Sequence, residues 1–182
     1  MTDAARFEAF VREYQDMVFG VALRLLANAA EAEDVSQTVF LKAFERFAEI
    51  GESPAVAGWL KTVATNTCLN HLSRYRARWR LFSELQRDDA SEGEPLEAVL
   101  MAPVPATVDV DMEAGDRQQR LECALQGLPD HQRVPLVLYH FEDKSYQDIA
   151  ALLNVSLAKV KTDIHRGREA LRKALTTDHG PA

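Results

Sequence analysis

Six cationic side chains fall between Lys159 and Lys173, opposed only by Asp163 and Glu169. On a helical register whose inward positions are Val160, Ile164 and Leu171, the residues Lys159, Lys161, Thr162, His165, Arg166 and Arg168 are left facing outward. Side chains of these types offer charge-assisted contacts to phosphate and hydrogen bonds to base edges. A second basic run, Arg74, Arg76, Arg78 and Arg80, is interleaved with Tyr75 and Trp79, and no acid occurs between Ser53 and Ser83. Such a run suits phosphates and unstacked bases. It would equally suit a solvated helix end, where arginine complements the dipole. Asn66 and Asn70 lie four apart on one helix face, where asparagine is an indifferent helix former. They would either hydrogen-bond the edge of a base turned out of the stack or cap a neighbouring loop.

Little supports catalysis. His71, His131, His140, His165 and His179 have no ligand spacing with carboxylates or cysteines, and no glycine-rich phosphate loop is present. We expect no enzyme activity, cofactor or metal. Cys68 and Cys123 sit far apart in apolar helical stretches, which points to buried thiols in a reducing cytoplasm. No apolar run reaches membrane length, so a soluble intracellular protein without stable membrane insertion is expected.

The basic helix belongs to a recognisable unit, SYQDIAALLNVSLAKVKTDIHRGREALRK. Ser145 caps a helix and Asp148 completes a capping box. Ile149, Ala150, Leu152 and Leu153 form one apolar face, Asn154 tolerates the left-handed stop, and Ser156 caps the next helix. This pattern predicts a helix-turn-helix whose second helix enters a major groove. Upstream, Leu121, Ala124, Leu125 and Leu128 mark one helix. Pro129 is placed in the first turn of another, strongly apolar through Val134, Leu136, Val137, Tyr139 and Phe141. Pro135 within it predicts either a later start or a bend.

At the other end, Phe7, Phe10, Val11, Tyr14, Val18, Val21, Ala22, Leu25 and Leu26 repeat at helical spacing. A second helix, from about Ala32 to Phe47, would bury Val35, Val39, Phe40, Ala43, Phe44 and Phe47. The acids Glu31, Glu33 and Asp34 in its opening turn suit the helix dipole, or would form a docking surface for a basic partner. A loop over 50–57 precedes a third helix from Gly58, with Trp59, Leu60, Val63, Ala64, Thr67, Cys68 and Leu72 inward. Between the two helical regions the composition turns acidic and proline-bearing, and residues 84–116 carry a net charge of −9 against −7 for the whole chain. The reading is therefore all-α: two small helical domains, 1–81 and 116–178, joined by an acidic flexible linker, 82–115, with the second a helix-turn-helix domain.

The succession EAEDVSQTVFLKAFERF, WLKTVATNTCLNHLSRYR, an acidic linker, then LPDHQRVPLVLYHFEDKSYQDIAALLNVSLAKVKTDIHRGREALRKAL resembles the extracytoplasmic-function sigma factors of the sigma-70 family. These are compact bacterial transcription-initiation subunits. The resemblance spans about residues 7–80 and 117–175, and the order and spacing of its parts are more specific than the helix-turn-helix alone. It implies core RNA polymerase binding through Glu33, Asp34, Gln37, Phe40 and Leu41. It implies capture of the single-stranded −10 promoter element by Asn66, Asn70, the 50–57 loop and the arginine run, Arg74, Arg76 and Arg78 foremost. It implies reading of the duplex −35 element by Lys161, Thr162, His165 and Arg166, with Lys159 and Arg168 on phosphates. A dedicated anti-sigma factor as regulator, and a linker threaded into the polymerase's cationic cleft, are further implications.

Some positions depart from the family pattern. Thr38 stands where an acid is usual, which weakens the negative face and makes it a candidate phospho-switch. Asp163 lies where a base is common and would repel phosphate unless it pairs with Lys159 or accepts from cytosine. Asp143 replaces a usual glycine, and Asn70 a frequent aspartate. The rival readings are a stand-alone helix-turn-helix regulator, which needs a symmetric dimer and a palindromic operator, and an adaptor protein using the acidic helix.

Overall fold

A computed structural model describes residues 3–85 and 114–177, with the side chains of 75–85, 114 and 177 outside the description. Of the expected linker, 86–113 lie outside the described residues, while 82–85 end the fourth helix and 114–115 open the fifth; the side chains of Arg76, Arg78 and Arg80 also lie outside the description.

Among the described residues every element is helical. The first body holds α1 (Asp3–Leu26), α2 (Ala29–Glu45), the short α3 (Phe47–Ile50) and α4 (Val56–Leu85). The second holds α5 (Ala114–Gln126), α6 (Asp130–His140), α7 (Tyr146–Leu153) and α8 (Leu157–Thr177).

In the first body α1 lies against both α2 and α4. It buries Phe10, Val18, Val21, Ala22, Leu25 and Leu26; α2 adds Ala32, Val35, Val39 and Ala43. From α4 come Val56, Leu60, Ala64, Cys68 and Leu72, a stripe repeating every four residues. Burial pushes the Cys68 thiol up to about 12, so it stays neutral and inert. The turn into α2 is tighter than the sequence implied. Ala27 takes a left-handed φ of 53°, and Asn28 caps the helix by accepting from the Glu31 amide at 3.2 Å. The second helix thus starts three residues before the expected Ala32. Part of the expected loop is the helical turn α3. Gly51 closes it because a Cβ there would stand 2.8 Å from the Phe47 carbonyl oxygen. The third helix begins at Val56 rather than Gly58.

The second body is built around α6, whose positions from Arg133 to Leu138 are all buried. It starts at Asp130, before Pro135, and Pro129 is its N-cap rather than its first helical residue. Against it pack Leu125, Leu128, Ile149, Val160 and Ile164, while Leu171 is only partly covered. Gly167 brings α8 close to α6: a Cβ there would lie 3.3 Å from the Gln132 carbonyl oxygen.

Three further expectations need correction. Phe44 is 58% exposed, its ring touching only the edge of the core at Phe7. Leu152 is 42% exposed rather than buried with the rest of the α7 apolar face. Cys123 is exposed, because α5 presents that position to solvent.

Candidate polymerase and nucleic-acid interfaces

The helix-turn-helix closes as the capping residues predict. The Ser145 hydroxyl accepts from the Asp148 amide at 3.1 Å, and the Asp148 carboxylate accepts from the Ser145 amide at 3.2 Å. The Ser145 hydroxyl also donates to the Asp148 carboxylate at 2.7 Å, and this bond, then the one from the Ser145 amide, holds the Asp148 carboxyl below its ordinary range. Asn154 ends α7 at φ 53° and ψ 50°, and Ser156 accepts from the Lys159 amide at 3.2 Å to start α8. Asp143 adopts φ 51°, the left-handed turn for which a glycine would serve.

Along α8 the six predicted residues are all exposed. Lys161, Thr162, His165 and Arg166 form one continuous stripe at helical spacing. Thr162 keeps its hydroxyl on the Ala158 carbonyl at 3.0 Å. The two flanking cations are held in place. Lys159 Nζ reaches the buried Asp163 carboxylate at 2.7 Å, the pairing that removes Asp163 as a bare negative charge on the reading helix. Arg168 donates from Nε to His140 Nε2 at 3.1 Å and lies over the Tyr139 ring at 5.5 Å. Burial, and then Arg168, lower the His140 pKa, which keeps that ring the neutral acceptor this bond needs.

On α4, Asn66, Asn70 and Arg74 are exposed. Neither amide hydrogen-bonds to another described residue, so no described loop is capped by them. Arg76 and Arg78 continue the same helix, with their side chains outside the description. Trp59 is partly buried, with the Arg46 guanidinium 6.0 Å from its ring centre.

On α2, Glu33, Asp34, Gln37 and Leu41 share an exposed face, and Phe40 is partly buried beneath it against Phe10. Leu41 is 66% exposed and, with Phe44, gives this face two large apolar side chains. Thr38 lies on the same surface with its hydroxyl donating to the Asp34 carbonyl at 3.0 Å. Sequence reasoning missed Phe44 as a member of this face, Thr65 as a buried group and Arg133 as a buried cation. Only Phe44 left a signal: it follows Gln37 and Leu41 at helical spacing.

Two family descriptions match: Sigma-70 region 2 over residues 10–79 and Sigma-70 region 4 over residues 118–171. The first region with its α2 and α4 faces, and the second with its helix-turn-helix, define a transcription-initiation factor of the sigma class, not an enzyme. The chain is 34% identical to the RNA polymerase sigma-H factor of Pseudomonas aeruginosa, over 95% of this chain and 88% of that protein. It is 30% identical to the ECF RNA polymerase sigma factor SigW of Bacillus subtilis, over 95% and 90% respectively. A solved structure of the sigma factor RpoE from Bartonella quintana, in complex with the anti-sigma factor NepR, matches with a TM-score of 0.51 and 25% identity, covering 95% of this chain and 98% of that one. The protein belongs to the sigma-70 family, in its extracytoplasmic-function group, whose members direct core RNA polymerase to promoters.

Proposed function

We propose that the chain divides its work by the form of DNA. Residues 1–81 dock on core polymerase through Glu33, Asp34, Gln37, Phe40 and Leu41. The same body holds melted −10 bases with Asn66 and Asn70 and their phosphates with Arg74, Arg76 and Arg78. Residues 116–178 read the −35 duplex with Lys161, Thr162, His165 and Arg166, while Lys159 and Arg168 meet phosphates. The linker 82–115, with most of the −9 charge, enters a cationic channel of the polymerase in the bacterial cytoplasm.

The observation that carries this reading is the separation of three exposed faces of different chemistry: acidic and apolar on α2, amide-bearing on α4, cationic on α8. A stand-alone operator-binding regulator would leave the first of these without a use. Family membership over nearly the whole chain also stands against it. The solved complex of a similar sigma factor with an anti-sigma factor supports control of this chain by a partner of that kind.

Run-off transcription with core polymerase on randomised promoter templates tests the reading and returns the recognised sequence. Replacing Lys161 and Arg166 together by alanine should reduce initiation by about a hundredfold, since each good base contact is worth about 1–3 kcal/mol. Initiation at the wild-type level would remove α8 from promoter reading. Thr38 offers a graded second test. Its exposed hydroxyl is open to phosphorylation, which would add charge to an acidic docking face. Thr38→Asp should therefore raise initiation above Thr38→Ala, and equal rates would end the phospho-switch.

A further inference from the structure

From Lys159 to Arg168 is about two and a half turns of α8. The two cations therefore lie on opposite flanks of the helix, about 13.5 Å apart along its axis, with the stripe of Lys161, Thr162, His165 and Arg166 between them. A major groove about 12 Å wide is filled by one helix, so a sugar-phosphate wall stands on each side of it. Each flanking cation thus has its own wall to meet.

Both cations are tied down, by partners of different kinds. Lys159 Nζ donates to Asp163 Oδ2 at 2.7 Å, one turn along the same helix. Asp163 is 6% exposed, and Lys159 is its one ion-pair partner among the described residues. Asp130, which lines the same small cavity, is engaged instead by Arg133. On the opposite flank Arg168 donates from Nε to His140 Nε2 at 3.1 Å. Its guanidinium lies 5.5 Å from the centre of the Tyr139 ring, which in turn packs on Tyr146 with ring centres 4.8 Å apart. One N–H of each cation is used in this way, and the others remain for phosphate oxygens.

A lysine or arginine loose on its stem can follow a phosphate through many placements of the helix. One held at a fixed point meets a phosphate only when the helix sits at one register on the duplex. Holding it beforehand also removes the ordering cost that binding would otherwise carry. Lys159 does not leave Asp163 readily, because a buried carboxylate without its partner is strongly unfavourable. Asp163 also offsets one positive charge, which lowers attraction to DNA of any sequence.

We propose that Asp163 and His140 are positioning residues for promoter recognition: by holding Lys159 and Arg168 on opposite flanks of α8 they set a phosphate clamp across the groove, and the clamp fixes the register in which the stripe between them meets the bases. The inference rests on the phosphate role given to both cations above. Asp163 and His140 act through these cations and do not touch DNA. Their contribution is to discrimination between sequences rather than to affinity for DNA in general.

The test uses the full chain assembled with core polymerase. It measures competition between the promoter recovered by run-off transcription and the same duplex scrambled at its −35 element. Asp163→Ala and His140→Ala should each lower the ratio of the two affinities by about three- to tenfold. Binding to the scrambled duplex should persist in both, and rise in Asp163→Ala. Asp163→Asn and His140→Gln keep an acceptor for the cation and should restore the ratio. A merely structural role would weaken both duplexes together. An unchanged ratio in the alanine variants would overturn the proposal, and so would failure of the acceptor-bearing variants to restore it. His140 is exposed, so its two variants carry the comparison alone should Asp163→Ala unfold. Lys159→Ala and Arg168→Ala separately test the reading beneath: each should reduce the salt slope of binding by about one. Unchanged slopes would strike the phosphate role itself, a result distinct from an unchanged ratio.

Discussion

Two solvent-facing helices, α2 and α8, expose faces of different chemistry, and each face would bind by different physics. On α8 the exposed stripe is polar, and its flanking cations are already engaged: Lys159 with Asp163, Arg168 with His140. On α2 the exposed face sets Leu41 and Phe44 beside Glu33 and Asp34. Exposed apolar side chains gain by burial against another protein, and that gain is insensitive to salt. Cations on a helix gain by displacing counterions from phosphate, and that gain falls steeply with salt. The two faces therefore differ in the kind of surface they fit as well as in sequence.

The largest effect that would break this contrast is at Leu41. Leu41→Glu replaces an apolar anchor with a charge but leaves the core untouched. It should weaken core polymerase binding by 10- to 100-fold, from about 1.5–3 kcal/mol of lost burial. Thermal unfolding should stay near the wild-type midpoint, and added salt should not restore the loss. Were the defect instead to vanish at low salt, α2 would be an electrostatic surface like α8, and the contrast would fail.

A smaller effect probes why α8 can hold its stripe outward at all. Gly167 lets α8 approach α6 at the Gln132 carbonyl, a contact with the most buried helix of the body. Gly167→Val puts a branched side chain into that gap and should destabilise the second body by about 1–3 kcal/mol. Gly167→Ala gains helix propensity of about 1 kcal/mol against a milder overlap, so it should fall near the wild type. Denaturant unfolding of both variants measures the difference. Equal stability would mean that α6 and α8 are not held at this spacing.

What the sequence made legible follows the range of the interactions involved. Ser145, Asp148, Asn154 and Ser156 were readable because each acts within a few residues of itself, and the structure has each in its expected place. Val160 and Ile164 were readable from period alone, as were Leu60, Ala64 and Cys68. Phe44 and Leu152 were misread as inward because hydrophobicity marks only a capacity for burial. Whether a partner element lies opposite depends on the rest of the chain. Thr65 and Arg133 could not be read at all. Each has neighbours from the other body: Thr65 shares a cavity with the turn 141–144, and Arg133 meets the end of α1. Local sequence carries no trace of an element more than seventy residues away.

The smallest predicted effect concerns the start of the reading unit and sets α7 against α2. Both helices are capped by a side chain that accepts from the third helical amide, Ser145 on α7 and Asn28 on α2. Only α7 has the reciprocal bond, from the Ser145 amide to the Asp148 carboxylate. Ser145→Ala should cost about 1 kcal/mol, with the loss confined to the second body. The reciprocal bond also carries a pH signature. The native Asp148 pKa lies below its unfolded value, because hydrogen bonds from Ser145 favour the charged carboxylate. Its contribution is therefore complete above the unfolded pKa and disappears as pH falls through the native one. Unfolding of wild type and Asp148→Asn, compared between neutral and strongly acidic pH, should show the gap closing as the carboxylate protonates. A gap of constant size across that range would show that the box holds α7 by geometry, without the charge.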